Sequence, residues 1–160
     1  MQDDLMEPYE WPREKKWRHL YTRSVKVRRA HQLGFEYPRL TVRELLETEI
    51  LNVLFVCSMN KWRSPTAEKI YGNHTLLNVR SAGTSTKAKR KITVSDIRWS
   101  DLIILMEEKH KERVMADFRQ EVKHTEIYVL NVEDRFEYMD PRLVEELQSH
   151  IDPILLVDSP

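Results

Sequence analysis

Cys57 and Arg63 are separated by five residues, with Ser64 and Pro65 directly behind the arginine. No other stretch of the chain has as clear a capacity for chemistry. A thiol is a nucleophile, and a guanidinium clasps two oxygens of a tetrahedral anion side by side without losing its charge. The intervening Ser58, Met59, Asn60, Lys61 and Trp62 suit a loop whose backbone N–H groups turn inward to cradle a phosphoryl group, with Arg63 and Ser64 completing the ring. Inward amides, a helix start and Arg63 together favour the thiolate over the thiol. The Ser64 hydroxyl is within reach to donate to that sulfur. The expected chemistry is attack of Cys57 on phosphorus to give a phosphocysteine. Expelling an alkoxide or phenolate then requires a proton from a carboxylic acid on the far side of the phosphoryl group. Glu133, Asp134 and Asp140 are the candidates, all in the loop expected after the last strand. Asp140 precedes Pro141, a pairing that helix capping explains by itself.

The elements that would position these groups follow from hydrophobic patterning. Ile50 to Val56 is a branched and aromatic run fit for a buried strand, and Cys57 stands at its end. Ser64 and Pro65 read as N-cap and first residue of a helix that runs to a stop at Gly72. Leu76 to Ser81 reads as a second strand and Thr84 to Ile92 as a loop carrying Lys87, Lys89, Arg90 and Lys91. A helix over Val94 to Trp99 leads to a strand at Leu102 to Met106, whose unbroken apolar run suits the middle of a parallel sheet. Glu107 to Val122 is expected helical with Val114, Met115 and Phe118 inward, Thr125 to Val132 is the last strand, and Pro141 to His150 the last helix. Such alternation predicts an α/β fold: a four-stranded parallel sheet in a three-layer sandwich, with a phosphate loop after the first strand.

Val56 Cys57 through Arg63 Ser64 Pro65 resembles the phosphate loop of the low-molecular-weight protein tyrosine phosphatases, whose usual pattern is V-C-x-G-N-x-C-R-S-P. Cys57, Asn60, Arg63, Ser64 and Pro65 match it; Met59 stands in place of the usual glycine and Trp62 in place of the frequent cysteine. The resemblance continues through Ser81 Ala82 Gly83 Thr84 and Asp101 to Met106 with Glu107 and Glu108, and covers roughly residues 50 to 155. It implies a metal-independent phosphomonoester hydrolase of the protein-tyrosine-phosphatase type, with Cys57 as nucleophile and Arg63 on the phosphate. It also implies Asp134 as general acid, since Val132 to Phe136 falls where the family carries an acidic D-P pair before aromatic residues. Here Arg135 replaces the proline, and Asp140 is kept as the alternative acid.

Trp62, Phe136 and Tyr138 are candidate walls of a substrate pocket, and each is equally accounted for by packing. Lys61 is expected to point outward and attract anionic substrates. His74, His110, His124 and His150 lack metal-ligand spacing and read as solvated or capping, so neither a metal nor a cofactor is expected. A single cysteine fits a reducing cytoplasm and excludes an intrachain disulfide. The 26 basic and 26 acidic residues balance, so overall charge points to no polyanion. No apolar run approaches the roughly 18 residues of a membrane span.

Residues 1 to 49 read as a separate extension before the catalytic domain of 50 to 160. A helix over residues 13 to 33 would align Lys15, Arg18, Lys26 and Arg29 opposite Trp17, Leu20, Tyr21 and Val27. That face either is solvated, with the helix docked on the domain, or serves as a handle for RNA or an acidic protein. The expected substrate is a phosphorylated protein or a small phosphate ester. Two other readings fit the same loop: a phosphate- or phosphoprotein-binding regulatory module with little turnover, and an arsenate reductase drawing on external thiols.

Overall fold

The computed structural model describes residues 51–74, 77–123 and 125–155, and among these four short strands and four helices alternate. The expected N-terminal basic helix lies outside the described residues. The order is β1 (Leu51–Cys57), α1 (Arg63–Tyr71), β2 (Leu77–Gly83), α2 (Val94–Trp99), β3 (Leu102–Leu105), α3 (Glu108–Asp117), β4 (Glu126–Val129) and α4 (Pro141–Leu155). All strand pairings are parallel and the sheet order is β2-β1-β3-β4. The chain therefore leaves β1 toward one edge and returns to build the other half. That reversal opens a crevice at the carboxyl ends of β1 and β3, where α/β folds hold their ligands.

Strand periodicity sorts the core into two layers. Val53, Phe55 and Cys57 of β1 join Leu102 and Ile104 of β3 against Ala67 and Tyr71 of α1 and Leu143, Leu147 and Ile151 of α4. Leu54 and Val56 join Ile103 and Leu105 on the opposite face, against Ile97 of α2 and Val114 of α3. With both faces covered, β1 and β3 have no polar side to show, which is why their sequences are continuous rather than alternating. The architecture is the three-layer α/β sandwich expected from the sequence.

Several boundaries differ from the expected ones. Helix α3 ends at Asp117 rather than Val122: Phe118 leaves the helical region (φ −130°), and Val122 is buried from a turn instead. Met115, expected inward, is 41% exposed, while Val114 carries the contact. Regular β4 stops at Val129 because Asn131 takes a left-handed conformation (φ 60°). Bonding to the end of β3 continues past it, from Leu130 N–H to Leu105 O and Val132 N–H to Met106 O. Helix α4 runs on through Pro153 to Leu155, since Ile151 and Leu155 still have core to bury against.

Candidate active site

The loop after β1 is built by turning its carbonyls away from its centre. Cys57, Ser58 and Met59 offer their C=O groups to the N–H groups of Thr84, Ser85 and Lys89 at 3.0, 3.0 and 2.9 Å. In a planar trans peptide the following N–H points the opposite way. The amides of Ser58, Met59 and Asn60 are thereby turned from the supporting loop toward the concave side. Asn60 makes the turn with φ 53°, a conformation asparagine tolerates better than most residues.

Gly83, at the end of β2, lets the supporting loop come this close. A Cβ there would lie 2.5 Å from Ser58 O, 2.6 Å from Ala88 Cβ and 2.9 Å from Asn60 N. Only glycine fits.

The Asn60 side chain is 4% exposed and ties the loop inward. Its Nδ2 donates to Ser64 Oγ at 3.0 Å and to Ser81 Oγ at 2.9 Å, and Ser81 in turn donates to Glu68 Oε1 at 3.0 Å. Ser64 Oγ lies 2.9 Å from Cys57 Sγ, and both are buried. A thiolate sulfur can only accept, so Ser64 is then the donor. The N-cap expected at Ser64 is not found: α1 starts at Arg63 with Trp62 as N-cap and no side-chain cap. The Ser64 hydroxyl turns to sulfur instead of to the helix backbone.

Arg63 is 2% exposed, and its partners come from the far side of the sheet. Nη1 donates to Glu107 Oε2 at 2.7 Å and to Val132 O at 2.9 Å, and Nε lies 3.6 Å from Asp134 Oδ1. Burial pushes the Glu107 carboxyl up, but the hydrogen bond and charge of Arg63 outweigh it and the net displacement is downward. A charged Glu107 thus orients the guanidinium.

His110 takes the capping role, one of the two expected from the sequence: it is the third residue of α3 and is 1% exposed, not solvated. Its Nδ1 accepts from Glu107 N–H at 3.0 Å, and its Nε2 sits 2.7 Å from Ser58 Oγ. Burial, then the charge of Arg63, lowers its pKa to about 4, so the ring is neutral at pH 7. A neutral ring that accepts at Nδ1 carries its proton on Nε2, and this proton goes to Ser58. The Ser58 hydroxyl proton remains available beside Cys57.

The two candidate acids differ in surroundings. Asp134 is half-exposed and lies against Arg63. Asp140 accepts from the backbone N–H of Arg142 at 2.9 Å and from its guanidinium at 2.8 and 3.1 Å, and these contacts hold its carboxyl below the usual range. Among the aromatics, Phe136 packs on the core with the Arg142 guanidinium 4.4 Å from its ring centre. Trp62 and Tyr138 instead border a cleft of about 650 Å³ beside the loop. Lys61 is exposed, as expected. Among the described residues no group of histidine, cysteine and acidic side chains could hold a metal, and no helix is long and apolar enough to cross a membrane.

Solved structures share this architecture. The arginine phosphatase YwlE of Geobacillus stearothermophilus superposes with a TM-score of 0.52 at 21% identity, over 66% of this chain and 91% of that one. A protein tyrosine phosphatase of Entamoeba histolytica gives 0.51 at 21% identity, over 66% and 95%. The domain has the low-molecular-weight phosphatase fold. YfkJ of Bacillus subtilis aligns as well, with a TM-score of 0.50 at 18% identity over 67% and 93% of the two chains. At these identities the likeness is one of fold. No family model and no curated protein matches the chain.

Glu68 and His110 are not singled out as site residues by the sequence, and Ser81, Gly83 and Glu107 enter only within the resemblance. Each is an ordinary strand or helix residue until the fold brings it to the loop.

Proposed function

We propose that this protein is a metal-independent phosphomonoester hydrolase of the protein-tyrosine-phosphatase type. The observation that carries the reading is the buried pair of Cys57 Sγ and Ser64 Oγ at 2.9 Å, inside a loop of inward amides closed by a buried Arg63. Phosphate oxygens would take the amides of Ser58 to Ser64 and the guanidinium. The Cys57 thiolate attacks phosphorus, the bond to the leaving oxygen breaks, and Asp134 gives that oxygen its proton. The Asp134 carboxylate then takes a proton from water as the water attacks phosphorus, and the P–S bond breaks to release phosphate and the thiolate. Asp134 suits the acid role better than Asp140, whose carboxylate is spent on Arg142. The fold neighbours bear the names of tyrosine and arginine phosphatases, so both phosphate esters and phosphoarginine belong in the assay.

The test is hydrolysis of para-nitrophenyl phosphate with chelator present. The wild type should turn over, and Cys57→Ser should lose turnover while still binding a phosphate analogue. More than trace activity in the serine variant rules out the phosphocysteine. Analogue binding by a wild type that hydrolyses neither an aryl phosphate nor phosphoarginine would favour a binding module.

A further inference from the structure

The cleft beside the phosphate loop is bounded by several of the segments that build the site. Lys61 and Trp62 come from the phosphate loop, Lys89 from the loop that supports it, and Tyr138 from the loop carrying Asp134. Its floor is one face of α1, where Pro65, Glu68, Lys69 and Gly72 recur at the three- and four-residue spacing of neighbouring helix positions. Lys61, Lys69 and Lys89 are exposed, and among the described residues none pairs with a carboxylate. Glu68 is the one acid in the lining, and it accepts a hydrogen bond from Ser81. Trp62 is half-exposed with Lys61 Nζ 5.4 Å from its ring centre, and Tyr138 is 49% exposed. A loop for one phosphoryl group does not need three further exposed cations to one side.

We propose that this cleft is a substrate subsite for the acidic flank of a phosphorylated polypeptide, with Lys69 and Lys89 reading carboxylates and Trp62 and Tyr138 covering the peptide. The inference rests on the phosphatase reading and adds a substrate class to it. Lys69 lies about 9 Å along the helix axis from Arg63. An extended peptide covers that distance in about three residues. The carboxylates read are therefore two to four positions from the phosphorylated residue. The aromatic borders suit a peptide backbone and side chains as well as a nucleobase, but the phosphate loop places the reacting group at one end of the cleft, as a side-chain phosphate on a polypeptide requires.

The experiment uses full-length protein and phosphotyrosyl peptides identical except for glutamate or alanine at the second to fourth positions on either side. The acidic peptides should show a kcat/KM about 3- to 10-fold higher at low salt, the gain expected from two exposed charge pairs, and less in salt. The double variant Lys69→Glu, Lys89→Glu should reverse the preference, read as the kcat/KM ratio of acidic to neutral peptide so that any loss shared with para-nitrophenyl phosphate cancels. Equal kcat/KM for acidic and neutral peptides, or a preference unaltered in the double variant, overturns the subsite. Fluorescence anisotropy of the same peptides on Cys57→Ser protein reads the cleft independently of turnover, so a failed phosphatase reading stays distinguishable. If the double variant loses affinity for a single-stranded RNA oligonucleotide while acidic and neutral peptides bind alike, the groove serves nucleic acid and the proposal falls.

Discussion

Gly83→Ala separates a loop that is shaped by its support from one that holds its own shape. The added methyl would meet Ser58 O at 2.5 Å, Asn60 N at 2.9 Å and Ala88 Cβ at 2.6 Å. None of these is the far end of a flexible side chain. Restoring ordinary contact to Ser58 O alone requires a displacement of about 1 Å. The phosphate loop and the 84–89 loop must part, straining the hydrogen bonds from Thr84, Ser85 and Lys89. Overpacking of this kind costs about 1–3 kcal/mol. At about 4 °C per kcal/mol, the melting temperature should fall by about 4–12 °C. Activity should suffer more than stability, because a misplacement of about 1 Å at the reacting centre costs about 10²-fold. The assay pairs thermal denaturation with para-nitrophenyl phosphate kinetics well below the melting point. Adding Ala88→Gly should return part of the stability and little of the rate, since the contacts to Ser58 and Asn60 remain. A folded Gly83→Ala protein with unchanged kcat/KM would refute the claim that the supporting loop sets the amide geometry.

Other perturbations probe the remaining parts. Asp134→Asn should slow alkyl phosphates, which need a protonated leaving group, far more than para-nitrophenyl phosphate, whereas Asp140→Asn should lower the melting temperature with little change in that ratio; equal losses on both substrates would remove Asp134 from the acid role. His110 is neutral when folded, with its pKa lowered from 6.5 to about 4, so the unfolded chain binds the extra proton between those values. Its contribution is complete above pH 6.5 and is lost as pH falls toward 4, and denaturant titrations should show a shallower pH dependence in His110→Gln over that window. The Tyr71 hydroxyl donates to Asp152, and burial with that carboxylate raises its pKa, so Tyr71→Phe should cost about 1–3 kcal/mol by urea unfolding with the kinetics unaltered.

The fold was legible because the apolar runs of β1 and β3 are uninterrupted and because a strand, an oxyanion loop and a helix start follow one another between Leu51 and Tyr71. Residues from one local segment, Cys57 through Ser64, could be read together for the same reason. What sequence did not yield depends on contacts across the sheet. Spacing alone cannot tell that Glu107 and Val132 O meet Arg63, because they belong to the ends of other strands. Helix capping by His110 was one of two roles open in the sequence, but its bond to Ser58 was not legible, because it crosses from the start of α3 to the loop after β1. Helix α4 was read too short because Pro153 is a local stop signal and the burial that overrides it is tertiary.

The bond from Arg63 to Val132 O joins residues 69 apart in sequence, and the two residues it links flank most of the sheet. A ribosome that has delivered β1 and the phosphate loop has made the nucleophile, but neither the 84–89 loop that turns the amides inward nor the acceptor that aims the guanidinium. That acceptor exists only after β4 has docked on β3, the last step of a wholly parallel and therefore non-local sheet. A nascent chain would remain unable to grip a phosphoryl group until β4 has been made and docked, so catalytic competence and completion of the sheet arrive together.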